Sequence, residues 1–293
     1  MPRRPVKAHR RVTFRRQPRP DTVFATSPIK KTPDLWMAGS FFARNLYVVL
    51  LLFGLAVAAT AQASTNPWLE AVSDRDIAAL SRLLDSGPVN PNLALPDGRT
   101  ALMLAAQEAD AGLVVQLIAA GADVGAANAN GGTVLMFAAI SGDPSIAGLL
   151  LDAGARHDAR AMLGWTALSL AAVKGHGEVV RLLLDFGADQ RARDAYGWTA
   201  VMRAAFNGHF DVVQVLLEAP GADLSARQES GATVLHMAAA GGEPALVELL
   251  VARGTDITAR DGEANTAADI ATASGHLESA EWLRSLEALT DKD

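Results

Sequence analysis

The chain has 293 residues, no cysteine, and 26 Lys and Arg against 32 Asp and Glu, a net charge of −6. Without cysteine, disulfides, thiolate zinc sites and cysteine nucleophiles are excluded. The charge is unevenly spread: residues 1–63 carry 11 basic and 2 acidic side chains, which leaves 15 basic and 30 acidic beyond them. A stretch with net charge −15 lacks the basic footprint that nucleic-acid binding needs, so no nucleic-acid partner is expected.

In chain order, Met1 to Trp36 holds ten Lys and Arg, scattered prolines and no apolar periodicity. That composition cannot form a packed core. An uncharged apolar run, NLYVVLLLFGLAVAA (45–59), follows, and then Ala61-Gln62-Ala63. A basic flank, a short apolar core and an A-x-A site predict a signal peptide over 37–63, cleaved after Ala63 so that Ser64 begins the mature chain. Met37 opens an ordinary signal peptide by itself, so 1–36 reads as a disordered basic leader or a mis-assigned upstream segment. These features predict a periplasmic or secreted bacterial protein. The alternative is an inner-membrane anchor with a cytoplasmic basic tail, since the run is about the minimum length for a span.

Beyond residue 95 a threonine recurs at Thr100, Thr133, Thr166, Thr199, Thr233 and Thr266, a period of 33 residues broken once by 34. Such a period marks a stacked-repeat protein, because each unit is too small to bury its own apolar face. Gly98, Gly131, Gly164, Gly197 and Gly231 sit two residues before five of the threonines. They suit a tight turn with positive φ, and the threonine then caps a helix. Small pairs such as Ala138-Ala139 and Ala171-Ala172 let the first helices of neighbouring units approach closely. Second apolar runs, VVQLI (114–118), IAGLLL (146–151), VVRLLL (179–184), VVQVLL (212–217) and LVELLV (246–251), have one-sided helical spacing. They end at Gly121, Gly154, Gly187, Gly221 and Gly254, where helix C-caps belong.

With this spacing, and with Gly175-His176, Gly208-His209 and Gly275-His276 before the second helices and G-A-D after three of them, the chain resembles the ankyrin-repeat family. The resemblance covers roughly residues 66 to 289 and implies an all-α solenoid of helix-turn-helix units joined by β-turn loops. Residues 64–293 would form one domain: an atypical N-terminal cap over about 66–95, repeats over about 96–261, and a C-terminal cap over about 262–289. The proline that follows the threonine in the family is missing from all six copies. The family's histidine survives only as His236, which puts its hydrogen bonding between neighbouring turns in question elsewhere. Pro220 lies in the one stretch with an extra residue and reads as a tolerated insertion.

No nucleophile–base constellation, phosphate loop or metal-ligand spacing is present, so no catalytic residue, metal or cofactor is expected. Function is then expected to be protein binding by a monomer. The resemblance places the contact surface on the turn tips and the exposed side of helix one. At matching positions this gives Leu163, Trp165, Val173, Lys174, Tyr196, Trp198, Phe206 and Asn207, an aromatic cluster of the kind that makes hot spots. The competing reading is that a tryptophan before the threonine packs on the next turn. An inhibitor or immunity-type protein whose acidic surface caps a basic enzyme or toxin is the alternative function. A second stripe, Arg160, Arg193, Arg227 and Arg260, lies six residues before four successive threonines; it could receive an acidic partner. The expectation is instead a solvated ladder compensated by neighbours such as Asp194 and Asp261.

Overall fold

The computed structural model describes residues 66–290; the expected leader, signal peptide and cleavage site at Ala61, Ala63 and Ser64 lie outside them. Fourteen α-helices and no strands make up the described residues. They pair as α1 (Pro67–Asp74) with α2 (Ile77–Ser86), α3 (Ala101–Gln107) with α4 (Ala111–Ala119), and α5 (Val134–Ser141) with α6 (Pro144–Asp152). Next come α7 (Ala167–Lys174) with α8 (Gly177–Asp185), α9 (Ala200–Phe206) with α10 (Phe210–Glu218), and α11 (Val234–Gly241) with α12 (Pro244–Ala252). The last pair is α13 (Ala267–Ala273) with α14 (Leu277–Thr290).

From the second unit on, helix one touches helix one of the next, and helix two touches helix two throughout, so two layers run along the stack. Helix one is buried nearly all round: α5 hides Val134 through Ala139 without a break. Only small residues at the paired alanine positions permit that closeness, and no such seven- or eight-residue helix would persist alone. Helix two buries one face; α8 hides Val179, Val180 and Leu183 and turns Glu178, Arg181 and Asp185 outward.

The threonines do what their position suggests, with one exception. Thr100, Thr133, Thr166 and Thr266 accept a hydrogen bond from the backbone N–H three residues on. At Thr233 the backbone N–H donates to His236 Nδ1, while His236 Nε2 meets the carbonyl of Asn265 in the next turn. The family's inter-turn bond is therefore made at the one histidine that remains. Thr199 caps nothing, and its hydroxyl is buried without a hydrogen-bond partner. Helix two stops in a Schellman cap: Gly121 N–H reaches Ile118 O and Ala122 N–H reaches Leu117 O. The glycine thus stands one place beyond the cap itself.

Two further joints lock the units together. His176 lies on Gly142 of the preceding unit and meets the Ile140 carbonyl through Nε2 at 3.0 Å. A Cβ on Gly142 would come within 2.5 Å of that ring, so no larger residue fits. His209 repeats the bond to the Val173 carbonyl at 2.9 Å. At the 34-residue unit Ala219 leaves the helix in extended geometry. Gln190 then donates to the carbonyls of Ala219 and Pro220, and Arg191 to that of Gly221. The insertion is absorbed by two side chains of the preceding arm, beside an open cleft of about 750 Å³.

Burial holds the His236 imidazole below its ordinary value of about 6.5, despite the Asn265 carbonyl. The folded state therefore binds fewer protons than the unfolded one just below that value, and stability falls as pH drops through it. Urea midpoints at pH 8 and pH 5 should differ more for the natural chain than for His236→Met, which copies Met103, Met136 and Met202.

Candidate partner-binding surface

The turn tips form a continuous edge. Ala129 N–H donates to Asp97 O, Met162 to Asn130 O, Ala195 to Leu163 O, Glu229 to Tyr196 O and Gly262 to Ser230 O. Each tip is thereby fixed to the one before it. Most are also closed from within by a side chain five residues before the threonine. Asn128 Oδ1 accepts from the N–H groups of Asn130 and Gly132, and Asp194 Oδ1 from those of Tyr196 and Trp198. Asp261 does the same for Glu263 and Asn265, and Gln228 accepts from Ser230.

Leu95 in the first copy and Ala161 in the third hold the equivalent place and have no acceptor to offer; at the first tip Asp97 Oδ1 takes the Arg99 N–H instead, and the third tip has no such substitute. That tip becomes a 3₁₀ turn over Met162–Gly164, with Leu163 at φ 61°, a left-handed conformation unfavourable for leucine. Met162 is left 41% exposed. Supplying the acceptor with Ala161→Asn, after the pattern of Asn128, is expected to stabilise the chain by about 1 kcal/mol. A urea midpoint that stays level or falls would show that the missing acceptor is not what sets this turn.

The expected aromatic cluster divides into two layers. Tyr196 is 36% exposed at its tip, next to Leu163, while Val173, Phe206 and Asn207 are half-buried and Lys174 is exposed along the edge of helix one. Trp165 and Trp198 are not on the surface: they are 1% and 3% exposed. The expectation that they are exposed anchors is corrected: both rings pack inside the stack.

Between them lies a residue that the sequence reading passed over. Arg203 occupies a helix-one position held elsewhere by Leu104, Phe137, Leu170, Met237 and Ile270. Its guanidinium carbon sits 4.6 Å from the Trp165 ring centroid and 4.5 Å from that of Trp198. Asp194 Oδ2 receives Arg203 Nε at 3.1 Å and its Nη2 as well. The Arg203 and Asp194 side chains are 2% and 3% exposed. Phe206 meets the Trp198 ring edge-on at 5.6 Å. Burial lowers the Arg203 pKa and Asp194 opposes that; a guanidinium nonetheless keeps its proton at any ordinary pH. One charge is thus desolvated, neutralised by a carboxylate and sandwiched by two π faces. A cation so placed gains about 2 kcal/mol from such faces. Asp194 joins this core to the surface, since its other oxygen closes the Tyr196 tip.

The arginine stripe is exposed, and the expected compensation by neighbouring carboxylates is not found. Asp194 is engaged with Arg203, and Asp261 with backbone N–H groups and the Asn265 side chain. Among the described residues none of Arg160, Arg193, Arg227 and Arg260 forms an ion pair. They donate to carbonyls instead: Arg193, Arg227 and Arg260 to the residue four further on, Arg160 and Arg227 to the next arginine of the stripe.

Family models of ankyrin repeats match this architecture over residues 68–161 and 155–228 (three copies) and over 207–251 and 242–284 (many copies). The chain belongs to the ankyrin-repeat family. No curated protein matches it in a search of such proteins. Ankyrin repeats generally mediate protein–protein interaction, and the tips and helix-one edge of the central repeats here carry Met162, Leu163, Val173, Lys174, Tyr196, Phe206 and Asn207. Among the described residues no group of His, Asp and Glu converges as a metal site, and no helix is long and apolar enough to cross a membrane.

Proposed function

We propose that this ankyrin stack is an exported, non-catalytic scaffold that binds a partner protein through the tips and helix-one edges of its central repeats. The supporting observation is the exposed apolar pair Met162 and Tyr196 on adjacent tips tied by the Ala195–Leu163 backbone bond. Exposed apolar side chains on a rigid base suit a hot spot, because little entropy is lost when they are covered. Trp165 and Trp198 serve as the floor beneath, not as contacts.

The double variant Met162→Ser, Tyr196→Ser tests the reading, since neither side chain is needed for the core. Cross-linked capture from periplasmic extract should lose its partner while the melting temperature stays within about 2 °C of the natural chain. Capture that is undiminished in the folded variant would contradict it. Export rests on the basic, apolar and A-x-A pattern of residues 37–63. N-terminal sequencing should begin at Ser64; a start at Met1 or Met37 in the membrane fraction would favour the anchored form.

A further inference from the structure

We infer that the partner of this surface presents an acidic polypeptide segment carrying an apolar side chain, with its carboxylates on the arginine ladder. The inference rests on the binding reading above and adds the chemistry of the partner. Four guanidinium groups stand in register on successive arms, each exposed and each pinned by its bonds to turn carbonyls. A guanidinium carries five N–H donors. Here one or two are spent on the protein, and the rest face solvent in a fixed orientation.

Pinning removes the rotamer entropy that makes an ordinary surface arginine a weak ion-pair donor. A carboxylate arriving at such a group meets a donor that is already positioned. The charge is available too, because no carboxylate pairs with the ladder among the described residues. The stretch between Arg160 and Arg193 differs from the rest. Its tips carry Met162, Leu163, Ala195 and Tyr196, with no acid, whereas Glu229 and Glu263 occupy the two later tips. The free positive charge and the exposed apolar side chains therefore coincide at one place. A segment with carboxylates on both sides of a large apolar residue complements that place.

The net charge of −15 beyond Ala63 works against long-range attraction of such a segment. Binding is accordingly short-ranged and set by contact geometry. A nucleic acid, which depends on a broad basic field, is disfavoured at the same site.

The test uses a fluorescent peptide of alternating Glu and Ser with one central Phe, and anisotropy at 50 mM salt. Its Gln counterpart and a single-stranded oligonucleotide of equal charge serve as comparisons. The Glu peptide should bind at least tenfold tighter than the Gln peptide, and 0.5 M salt should abolish the difference. Arg160→Gln with Arg193→Gln should cost about tenfold; an amide at 193 still reaches the Gly197 carbonyl that Arg193 Nε meets, whereas at 160 it stops short of the carbonyl that Arg160 Nη1 meets, so Arg160→Lys with Arg193→Lys, which keeps both charges, should retain most of the binding. Arg181→Gln on helix two should change nothing. Equal binding of the Gln peptide, an unaffected double Gln variant, or tighter binding of the oligonucleotide would each overturn the assignment. Partner capture that is lost with the Met162 and Tyr196 variant but intact with the arginine variant would overturn this inference alone. The binding reading would then stand.

Discussion

Asp194→Ala is expected to destabilise the stack by about 3–5 kcal/mol, the usual result of stranding a buried charge. Arg203 would keep its proton between the two tryptophans with no carboxylate to meet it, and the N–H groups of Tyr196 and Trp198 would lose their acceptor. The loss is conditional on the arginine. Leucine fills the Arg203 position in two other repeats, at Leu104 and Leu170, so Arg203→Leu together with Asp194→Asn should recover most of the stability. Asparagine keeps the oxygen that closes the tip, as Asn128 does. Urea unfolding of Asp194→Asn, of Arg203→Leu and of the double gives the coupling energy directly. Additive losses would mean that the pair does not act as a unit.

Trp165→Ala is the second large expected effect, about 3–5 kcal/mol, since it removes a fully buried ring and one face of the cation sandwich. For a stack of this size that lowers Tm by roughly 6–20 °C. The size of the drop separates two accounts of the residue. An exposed binding anchor would lose affinity and leave the melting curve alone; a floor residue loses stability first and binding only with it. A variant lacking both tryptophans therefore reports on stability and not on binding. A Tm unchanged by Trp165→Ala would place the ring back on the surface.

Most of the fold was legible because repetition overrides local ambiguity. One copy of GWTALSLAA is weak evidence for anything, but six copies in phase fix the turn, the capping threonine and both helices. The surface was legible only in part. Tyr196, Leu163, Val173, Lys174, Phe206 and Asn207 fall on or beside the exposed edge, as the family pattern implies. The two tryptophans do not, because position in the repeat says nothing of how far a large ring folds under its neighbour. What they pack on lies four residues after Thr199. Arg203 is the one charged residue at a position otherwise held by Leu, Phe, Met and Ile, and it needs an acceptor and π faces within reach. That anomaly was available in the aligned copies. It points to Asp194 and to the tryptophan preceding each of the two threonines. The uncapped third tip was available in the same way, as Ala161 among Asn128, Asp194, Gln228 and Asp261, Leu95 of the first copy being offset by Asp97. What no alignment of copies reveals is that the arginine stripe spends its bonds on carbonyls and leaves its charge unpaired.

The central claim is that partner contact falls on the tips above the Arg203 sandwich. A photo-crosslinking residue placed singly at Met162, at Tyr196, and on the outer face of helix two at Arg181 or Gln214 tests it most directly. The account predicts one covalent adduct of the same mass from positions 162 and 196 and none from 181 or 214. Adducts from the helix-two positions with none from the tips would contradict it.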